Sequence, residues 1–327
     1  MKIKKHIKYL VILFTTVNII LGKIPDEPIP YSQIHKPEPL NPSQRSPSHP
    51  YISGDTFRCF CDFVIDETKM PFEPNKVKNG DTIFIRHDNG FLDYFFTYIH
   101  PAIKARYILI SHNCLCLKGI NQYAKYLDNE KIIAWFGKNL IINNPKAHPI
   151  PVGIANNFWP HGNTEILSKF SNKPNSKKNI FLYMNFCIGN INDKRGKIRS
   201  RVYNMFSNKR YCHKSKPKNF ENYLQDLSRS KFVLSPEGMG IDCHRTWEAM
   251  LVGSIPIIKS SKLDHLFKNL PVLIISNWKE ITKEFLDNKY EEIHNKKYNL
   301  KKLYADYWLK KISDLKNKEY EVNISKS

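Results

Sequence analysis

The segment 231–258, KFVLSPEGMGIDCHRTWEAMLVGSIPII, carries the residues best suited to chemistry in this chain. Its pattern predicts a buried strand, a glycine-containing loop, a short helix and a second buried strand. A loop that leads from a strand into a helix N-terminus is a ready phosphate site, because free backbone N–H groups and the helix dipole favour negative charge. Arg245 falls in the first turn of that helix and can add a planar, bidentate anion contact. The segment therefore predicts a site for a diphosphate-bearing ligand.

Strand and helix patterns alternate on both sides of this segment. The predicted strands are 81–85, 106–110, 131–136 and 147–152 in the first half, and 179–186, 231–234, 255–258 and 271–275 in the second. Alternation of this kind is typical of parallel sheets covered by helices. A polar linker at 170–178 divides the two halves, so we expect two α/β units with a cleft between them. Open parallel sheets bind ligands at the carboxyl ends of their strands.

The N-terminus has the pattern of a targeting segment. Lys2, Lys4, Lys5 and Lys8 precede a mostly apolar run at 9–22, which is typical of a signal peptide or an uncleaved signal anchor. A signal peptide and a signal anchor would both place the body on the non-cytoplasmic side of a membrane. The alternative is that the apolar run forms a short buried helix. The predicted organisation is 1–24 signal peptide or anchor, 25–50 proline-rich stem, 51–169 first α/β unit, 170–299 second α/β unit and 300–327 C-terminal helix and tail.

Composition limits the class of protein. A hydrophobic content of 41% is enough for real cores and excludes a disordered chain. The formal net charge of +21 indicates acidic partners such as nucleotide phosphates, anionic glycans, a membrane surface or nucleic acid, or else an AT-rich genome that favours Lys, Asn and Ile codons. Cys59 and Cys61 could be cross-linked to Cys114 and Cys116 in an oxidising compartment, and unpaired thiols are the alternative.

The motif FVLSPEGMGIDCHRTWEAMLVGSIPII resembles the C-terminal nucleotide-sugar motif of exostosin-type glycosyltransferases and, more distantly, of alpha-1,3-fucosyltransferases. The resemblance covers about 179–276. It implies the GT-B fold, in which two Rossmann-like domains face a cleft, and a type II membrane-anchored or secreted topology. It also implies inverting transfer of a sugar from a UDP- or GDP-linked donor to a glycan or glycoprotein acceptor. Donor and acceptor identities stay open.

A physical reading of the residues in the motif agrees with this resemblance. Glu237 and Gly238 are expected where the loop passes close to the nucleotide, because glycine lets the backbone approach. Asp242 is expected to cap the helix. Arg245 would neutralise the departing diphosphate. Glu248 would orient Arg245 or accept a ribose hydroxyl; the alternative is that the two form a pair on a surface helix.

A second group of residues follows the strand at 179–186. Asn185, Arg195 and Arg199 resemble the segment that brings an arginine to the phosphates in fucosyltransferase-like proteins. A solvated basic loop is the alternative. No Asp-x-Asp pair, which would hold a divalent cation on a diphosphate, occurs in the chain. We therefore expect transfer without metal or other cofactor, with fixed cations and a helix N-terminus in place of the ion.

The catalytic base should come from the first unit, at the carboxyl end of a strand, within hydrogen-bond reach of the acceptor hydroxyl. Asp88 is the first candidate and His112 the second, and ordinary loop hydrogen bonding is the alternative for both. The prediction is thus a glycosyltransferase, with a non-catalytic carbohydrate- or polyanion-binding protein of the same fold as the competing hypothesis. Nucleic acid is not an expected partner, because the N-terminus is secretory and no nucleic-acid module is recognisable.

Overall fold

The computed structural model of the protein describes residues 45–69, 72–86, 90–113, 120–171 and 177–324. The predicted signal segment 1–24, Asp88, Cys114 and Cys116 lie outside the described residues. Cys59 and Cys61 carry free thiols. Within the described ranges, no helix combines the length and the apolar character that crossing a bilayer requires.

The first unit contains a parallel sheet in which the five strands follow one another in chain order. They are β1 Phe63–Ile65, β2 Asp81–Arg86, β3 Tyr107–His112, β4 Ile132–Lys138 and β5 Ala147–Ile150. The helices of this unit are α1 Gly54–Phe60, α2 at 91–102, which contains the π-helical stretch Phe95–Ile99, and α3 Thr164–Ser171. A 3-10 helix spans Ile120–Asp128.

The second unit contains a parallel sheet with the order β10-β9-β8-β6-β7. Its strands are β6 Ile180–Met184, β7 Cys212–Lys214, β8 Ser230–Leu234, β9 Ile255–Lys259 and β10 Leu273–Ile275. Its helices are α4 Lys194–Phe206, α5 Phe220–Ser228, α6 His244–Leu251 and α7 Lys283–His294. The eight predicted strands are confirmed. The sequence did not predict β1 and β7, which have three residues each.

Alternate residues of the strands enter different cores. Phe84 on β2 and Val233 on β8 belong to one large apolar cluster. Ile83 belongs to a cluster confined to the first unit, and Phe232 to one confined to the second. Both sheets are therefore buried on both faces, as parallel sheets covered by helices must be. Since the large cluster draws from both sheets, its apolar surface joins the two units.

The C-terminal helix α8, Ala305–Ile324, packs against the first unit. The Ala305 N–H donates to the Pro50 carbonyl at 2.9 Å. Trp308 and Ile312 are buried in the cluster that the two units share. The predicted helix at 300–316 is thus present, although it begins later than expected, after a 3-10 turn at Leu300–Leu303.

Residues 45–50, predicted as the end of the stem, are instead packed on the first unit. Arg45 is buried, and its guanidinium pairs with Asp55 at 2.7 Å and with Glu67. The Ser48 N–H donates to Thr56 Oγ1 at 3.0 Å. The folded unit therefore includes Arg45, which composition could not indicate because the partners that hold this segment lie further along the chain.

The chain has the predicted fold class. It is an α/β protein with two Rossmann-like units of parallel strands. The units face each other across a cleft, which has a cavity of about 800 Å³.

Candidate functional site

The cleft is lined by the segments that follow the carboxyl ends of strands. The first unit contributes Lys138 at the end of β4, and Val152 and His161 after β5. The second unit contributes the rest of the wall, from the segments after β6, β7 and β8. The cavity therefore lies where parallel sheets bind ligands.

The loop 235–243 connects β8 to α6 and ends beside the cavity. The N-cap of α6 is Cys243, which makes no side-chain capping bond, so the predicted capping role of Asp242 is wrong. The Asp242 carboxylate instead accepts from the Val152 N–H at 2.7 Å and from the Trp247 indole at 2.8 Å. Burial raises its pKa to about 6, although the bond from Val152 opposes this. Asp242 therefore joins the two units, and its carboxylate does not cap α6.

Arg245 lies in the first turn of α6, as predicted. Its Nε donates to the Asn185 carbonyl at 2.9 Å, and its guanidinium lies 5.5 Å from the centroid of the Phe186 ring. Its Nη1 is buried without a hydrogen-bond partner. A buried N–H group without an acceptor is costly, because it has lost water and gained nothing. Arg245 is therefore a cavity-wall arginine whose guanidinium the protein does not fully engage.

Arg195 and Arg199 stand one turn apart on α4, on the face that lines the cavity. Arg199 donates from Nε to the Glu237 carbonyl at 3.0 Å and from Nη1 to the Cys187 carbonyl at 2.7 Å. Burial lowers the pKa of Arg199, and the charges of Arg245 and Arg195 lower it further. Arg195 Nε is buried without a partner. We call Arg195, Arg199 and Arg245 the arginine cluster.

The loop residues Glu237 and Gly238 contact Arg199 of this cluster. A Cβ atom on Gly238 would lie 2.6 Å from Arg199 Nη2, so glycine makes room for the guanidinium. The Glu237 side chain is outside the cavity wall, with Oε1 3.8 Å from Lys194 Nζ. Gly238 therefore lines the cavity. Glu237 contributes only its backbone carbonyl, which accepts a hydrogen bond from Arg199.

Glu248 lies in the inner wall of the cavity and is 5% exposed, so a surface pair with Arg245 is excluded. The Tyr223 hydroxyl donates to Glu248 Oε2 at 2.8 Å. Burial raises the pKa of Glu248 to about 7, and the bond from Tyr223 and the charge of Arg245 oppose this rise. Asn185 lines the same wall, and its Nδ2 donates to the Tyr183 hydroxyl at 3.0 Å.

We predict that Glu248→Gln stabilises the protein increasingly as pH rises. Native Glu248 keeps its proton up to a pKa of about 7, whereas the unfolded chain loses it near 4.5, so the carboxyl destabilises the native state as pH rises through this window. The gain from removing it should reach at most about 3 kcal/mol above pH 7. The measurement is the difference in free energy of unfolding between variant and wild type at pH 5 and pH 8. Glu221→Gln, at an exposed position of α5, is the control; equal differences at both pH values for Glu248→Gln would contradict the prediction.

His112 is poorly placed to act as a base. It is buried outside the cavity wall, and its Nε2 lies 3.1 Å from the Pro151 carbonyl. Its Nδ1 accepts from the Asn113 N–H at 2.8 Å. Burial lowers its pKa well below the usual value. Since both ring nitrogens are engaged, no lone pair remains for an acceptor hydroxyl. Asp88, the other sequence candidate, lies outside the described residues and stays a prediction.

His244, the first residue of α6, lines the cavity and was missed by sequence reasoning. Its Nδ1 is 2.8 Å from the Gly153 carbonyl. A carbonyl only accepts, so Nδ1 carries the proton and the neutral ring has its lone pair on Nε2. His244 is exposed to the cleft, and desolvation by the surrounding protein lowers the pKa of its ring to about 4, against the bond to Gly153. His244 is therefore a neutral imidazole at pH 7.

Gly153 is required for this contact. It has φ +64°, and a Cβ atom there would lie 2.1 Å from the Ile52 carbonyl oxygen. Only glycine can therefore present its carbonyl to His244 from this position. The available signal for His244 was its place in the motif, directly before Arg245, at the start of a helix beside a phosphate site.

Across the part of the chain that the structure describes, no group of three or more His, Cys, Asp or Glu side chains could hold a metal ion. Independence from metal stays a prediction.

The fold and the site define a two-unit α/β protein with an arginine-lined cavity between its units. Residues 194–322 match the family model of the RXYLT1 C-terminal domain, so most of the second unit is similar to that domain. The finer resemblance to exostosins and fucosyltransferases stays a prediction. No curated protein matches the sequence.

Three solved structures are reported as similar. The UDP-GlcNAc 2-epimerase from Methanocaldococcus jannaschii is 12% identical, with 68% of this chain and 72% of that chain covered and a TM-score of 0.33. The GtfA/B complex is 13% identical, with coverages of 74% and 58% and a TM-score of 0.39. The pneumococcal O-GlcNAc transferase GtfA in complex with UDP and GlcNAc is 12% identical, with coverages of 75% and 54% and a TM-score of 0.34.

Proposed function

We propose that the protein is a glycosyltransferase that moves a sugar from a nucleoside diphosphate donor to a glycan or glycoprotein acceptor. The observation that carries the proposal is the arginine cluster, in which Arg245 Nη1 and Arg195 Nε are buried without partners. The acids around the cluster do not neutralise it: Asp193 Oδ2 lies 3.7 Å from Arg195 Nη2, Glu237 pairs with Lys194, and burial raises the pKa of Glu248, beside Arg245, to about 7. The cluster thus has an excess of positive charge that a diphosphate would balance.

The donor would place its diphosphate between the arginine cluster and the N-terminus of α6. When the bond between the sugar and the diphosphate breaks, negative charge grows on the leaving group. Guanidinium groups and helix N–H groups that are already fixed stabilise that charge without reorganising. These groups supply what a divalent cation supplies elsewhere, which supports metal-independent transfer.

The nucleoside would lie deeper in the second unit. Glu248 and Asn185 border the cavity beside Arg245, and a carboxylate oxygen there can accept from a ribose hydroxyl. The cavity volume of about 800 Å³ falls in the range of small-molecule sites and suits a nucleotide sugar. Because residues 194–322 match a xylosyltransferase-like domain, a UDP-linked pentose is the first donor to test.

The acceptor hydroxyl needs a group that takes its proton. We assign this role to His244 Nε2, whose lone pair is available in the cavity wall. In inverting transfer the acceptor oxygen bonds to the anomeric carbon, the bond from that carbon to the diphosphate breaks, and the hydroxyl proton passes to Nε2. Asp88 is the competing candidate from the sequence. The N-terminal segment 1–24 would anchor or export the protein, with the catalytic body on the non-cytoplasmic side.

The proposal predicts that UDP or GDP raises the melting temperature of the protein, also in the presence of EDTA. A ligand that binds only the native state stabilises it by mass action, by about 2.7 kcal/mol at 100 times its Kd. The measurement is a thermal-shift screen with UDP, GDP and CMP, and uridine, which lacks phosphate, is the control. If no nucleotide changes the melting temperature, the proposal fails. Binding without turnover of any UDP- or GDP-sugar, by contrast, would favour the non-catalytic carbohydrate-binding protein.

A further inference from the structure

Trp159 differs from the other tryptophans of the chain. It is 50% exposed, whereas Trp135, Trp247, Trp278 and Trp308 are at most 9% exposed. Burying an aromatic ring is favourable. A solvent-exposed tryptophan ring beside a cleft therefore offers apolar surface that a ligand could cover. Trp159 lies in the segment 156–163, which follows the cavity-lining residue Val152.

The Trp159 ring lies beside a residue that lines the cavity. It stacks on the His161 ring, with centroids 5.8 Å apart and planes 25° apart, and His161 lines the cavity. The Phe158 ring lies 5.0 Å away, and the Arg45 guanidinium lies 5.5 Å from the Phe158 centroid. Two backbone bonds close the turn, from Trp159 N to the Asn156 carbonyl at 3.0 Å and from Gly162 N to the Trp159 carbonyl at 2.8 Å.

The turn is also tied to the body of the first unit. Asn156 Oδ1 accepts from the Asp55 N–H at 2.9 Å, and its Nδ2 donates to Asn113 Oδ1 at 3.0 Å. The exposed ring is therefore preorganised, and binding to it costs little conformational entropy. Met239, 48% exposed, reaches the cavity from the second unit, so apolar side chains come to the cleft from both units.

A flat aromatic face beside a polar rim matches the chemistry of a sugar ring. The C–H face of a pyranose is apolar and covers an aromatic ring, while its hydroxyls stay at the edge for water or hydrogen bonds. The surrounding protein lowers the pKa of His161, so its ring is neutral at pH 7 and can bond a hydroxyl at this edge.

We propose that Trp159 and His161 form an acceptor subsite that binds a pyranose ring of a neutral glycan at the mouth of the cleft. The inference rests on the proposed glycosyltransferase function, because it places the acceptor on the first-unit side of the cavity, opposite the arginine cluster. Trp159 would be a positioning residue that selects the acceptor and does not take part in the chemical step.

The test uses the tryptophan fluorescence of the full chain, since Trp159 is the exposed indole that acrylamide reaches. Neutral xylotriose, chitotriose and mannotriose are added as probes, with and without UDP. We expect at least one trisaccharide to protect Trp159 from quenching. By calorimetry, Trp159→Ala should weaken binding of that trisaccharide about tenfold, and Trp159→Phe should retain most of it.

Tyr98→Ala is the matched control, because Tyr98 is a similarly exposed aromatic residue of the first unit, 48% exposed and outside the cavity wall. It should leave trisaccharide binding unchanged. UDP binding should be equal in Trp159→Ala and wild type, which also shows that the variant is folded. Absence of protection by all three trisaccharides, or equal losses in Trp159→Ala and Tyr98→Ala, would overturn the inference. If UDP fails to bind while a trisaccharide still protects Trp159, the proposed donor site fails and the carbohydrate subsite stands.

Discussion

Arg245→Ala is expected to lower kcat/KM for sugar transfer about 100- to 1,000-fold, as the loss of one preorganised group at a developing charge does. The variant removes the guanidinium whose Nη1 is unpartnered and whose Nε bonds Asn185. Arg245→Lys should recover only part of the activity, because an ammonium cannot make the planar, bidentate contact. The measurements are release of nucleotide from the sugar nucleotide and the Kd for the free nucleotide.

Arg201→Ala is the matched control for this prediction. Arg201 is exposed on α4, two residues after Arg199, so it points about 200° around the helix from the cluster. It removes the same charge from the same unit and should leave both kcat/KM and nucleotide affinity within about twofold of wild type. Equal effects of the two substitutions would show that overall charge, and not a built diphosphate site, governs binding.

His244→Asn is expected to lower kcat about 100- to 10,000-fold, the usual contribution of a general base. Asparagine can still donate to the Gly153 carbonyl from the position of Nδ1, but it has no group at the position of Nε2. Nucleotide affinity should therefore stay near that of wild type, since the arginine cluster is intact. Loss of kcat with an unchanged Kd separates a chemical role from a binding role.

The pH profile gives a second readout for His244. A general base must be unprotonated. The contribution of His244 should therefore make the wild-type rate rise with pH through its pKa of about 4 and stay level above it. His265→Asn, at an exposed position outside the cavity wall, is the control. If Asp88→Asn abolishes turnover while His244→Asn does not, the base is Asp88 and the assignment to His244 is wrong.

Periodicity explains why much of the fold was predictable. Runs such as DTIFI and RYILI are short, rich in β-branched and aromatic residues and apolar on both faces, as strands covered on both sides are, and these became β2 and β3. Likewise the order of strand, loop and helix at 231–251 was enough to place Arg245 in a first helical turn next to a cavity. These features depend on residues that are adjacent in the chain, and the order of those residues can be read directly from the sequence.

The roles of single side chains were less predictable where they depend on distant segments. Asp242 looked like a helix cap, yet its carboxylate bonds Val152, 90 residues earlier. His112 looked like a base at a strand end, yet the fold engages both of its ring nitrogens. Glu248 and Tyr223 meet although 25 residues separate them. The spacing of residues in the sequence does not indicate any of these hydrogen-bond partners.

The sequence by itself determined that this protein has two parallel α/β units and that a loop leading into a helix N-terminus precedes Arg245, because both depend on local pattern and chain order. The tertiary structure decided which cations gather around one cavity, which histidine keeps a lone pair for the cleft and which tryptophan stays in water. Those properties depend on burial and on contacts between the two units, and burial exists only once the chain has folded.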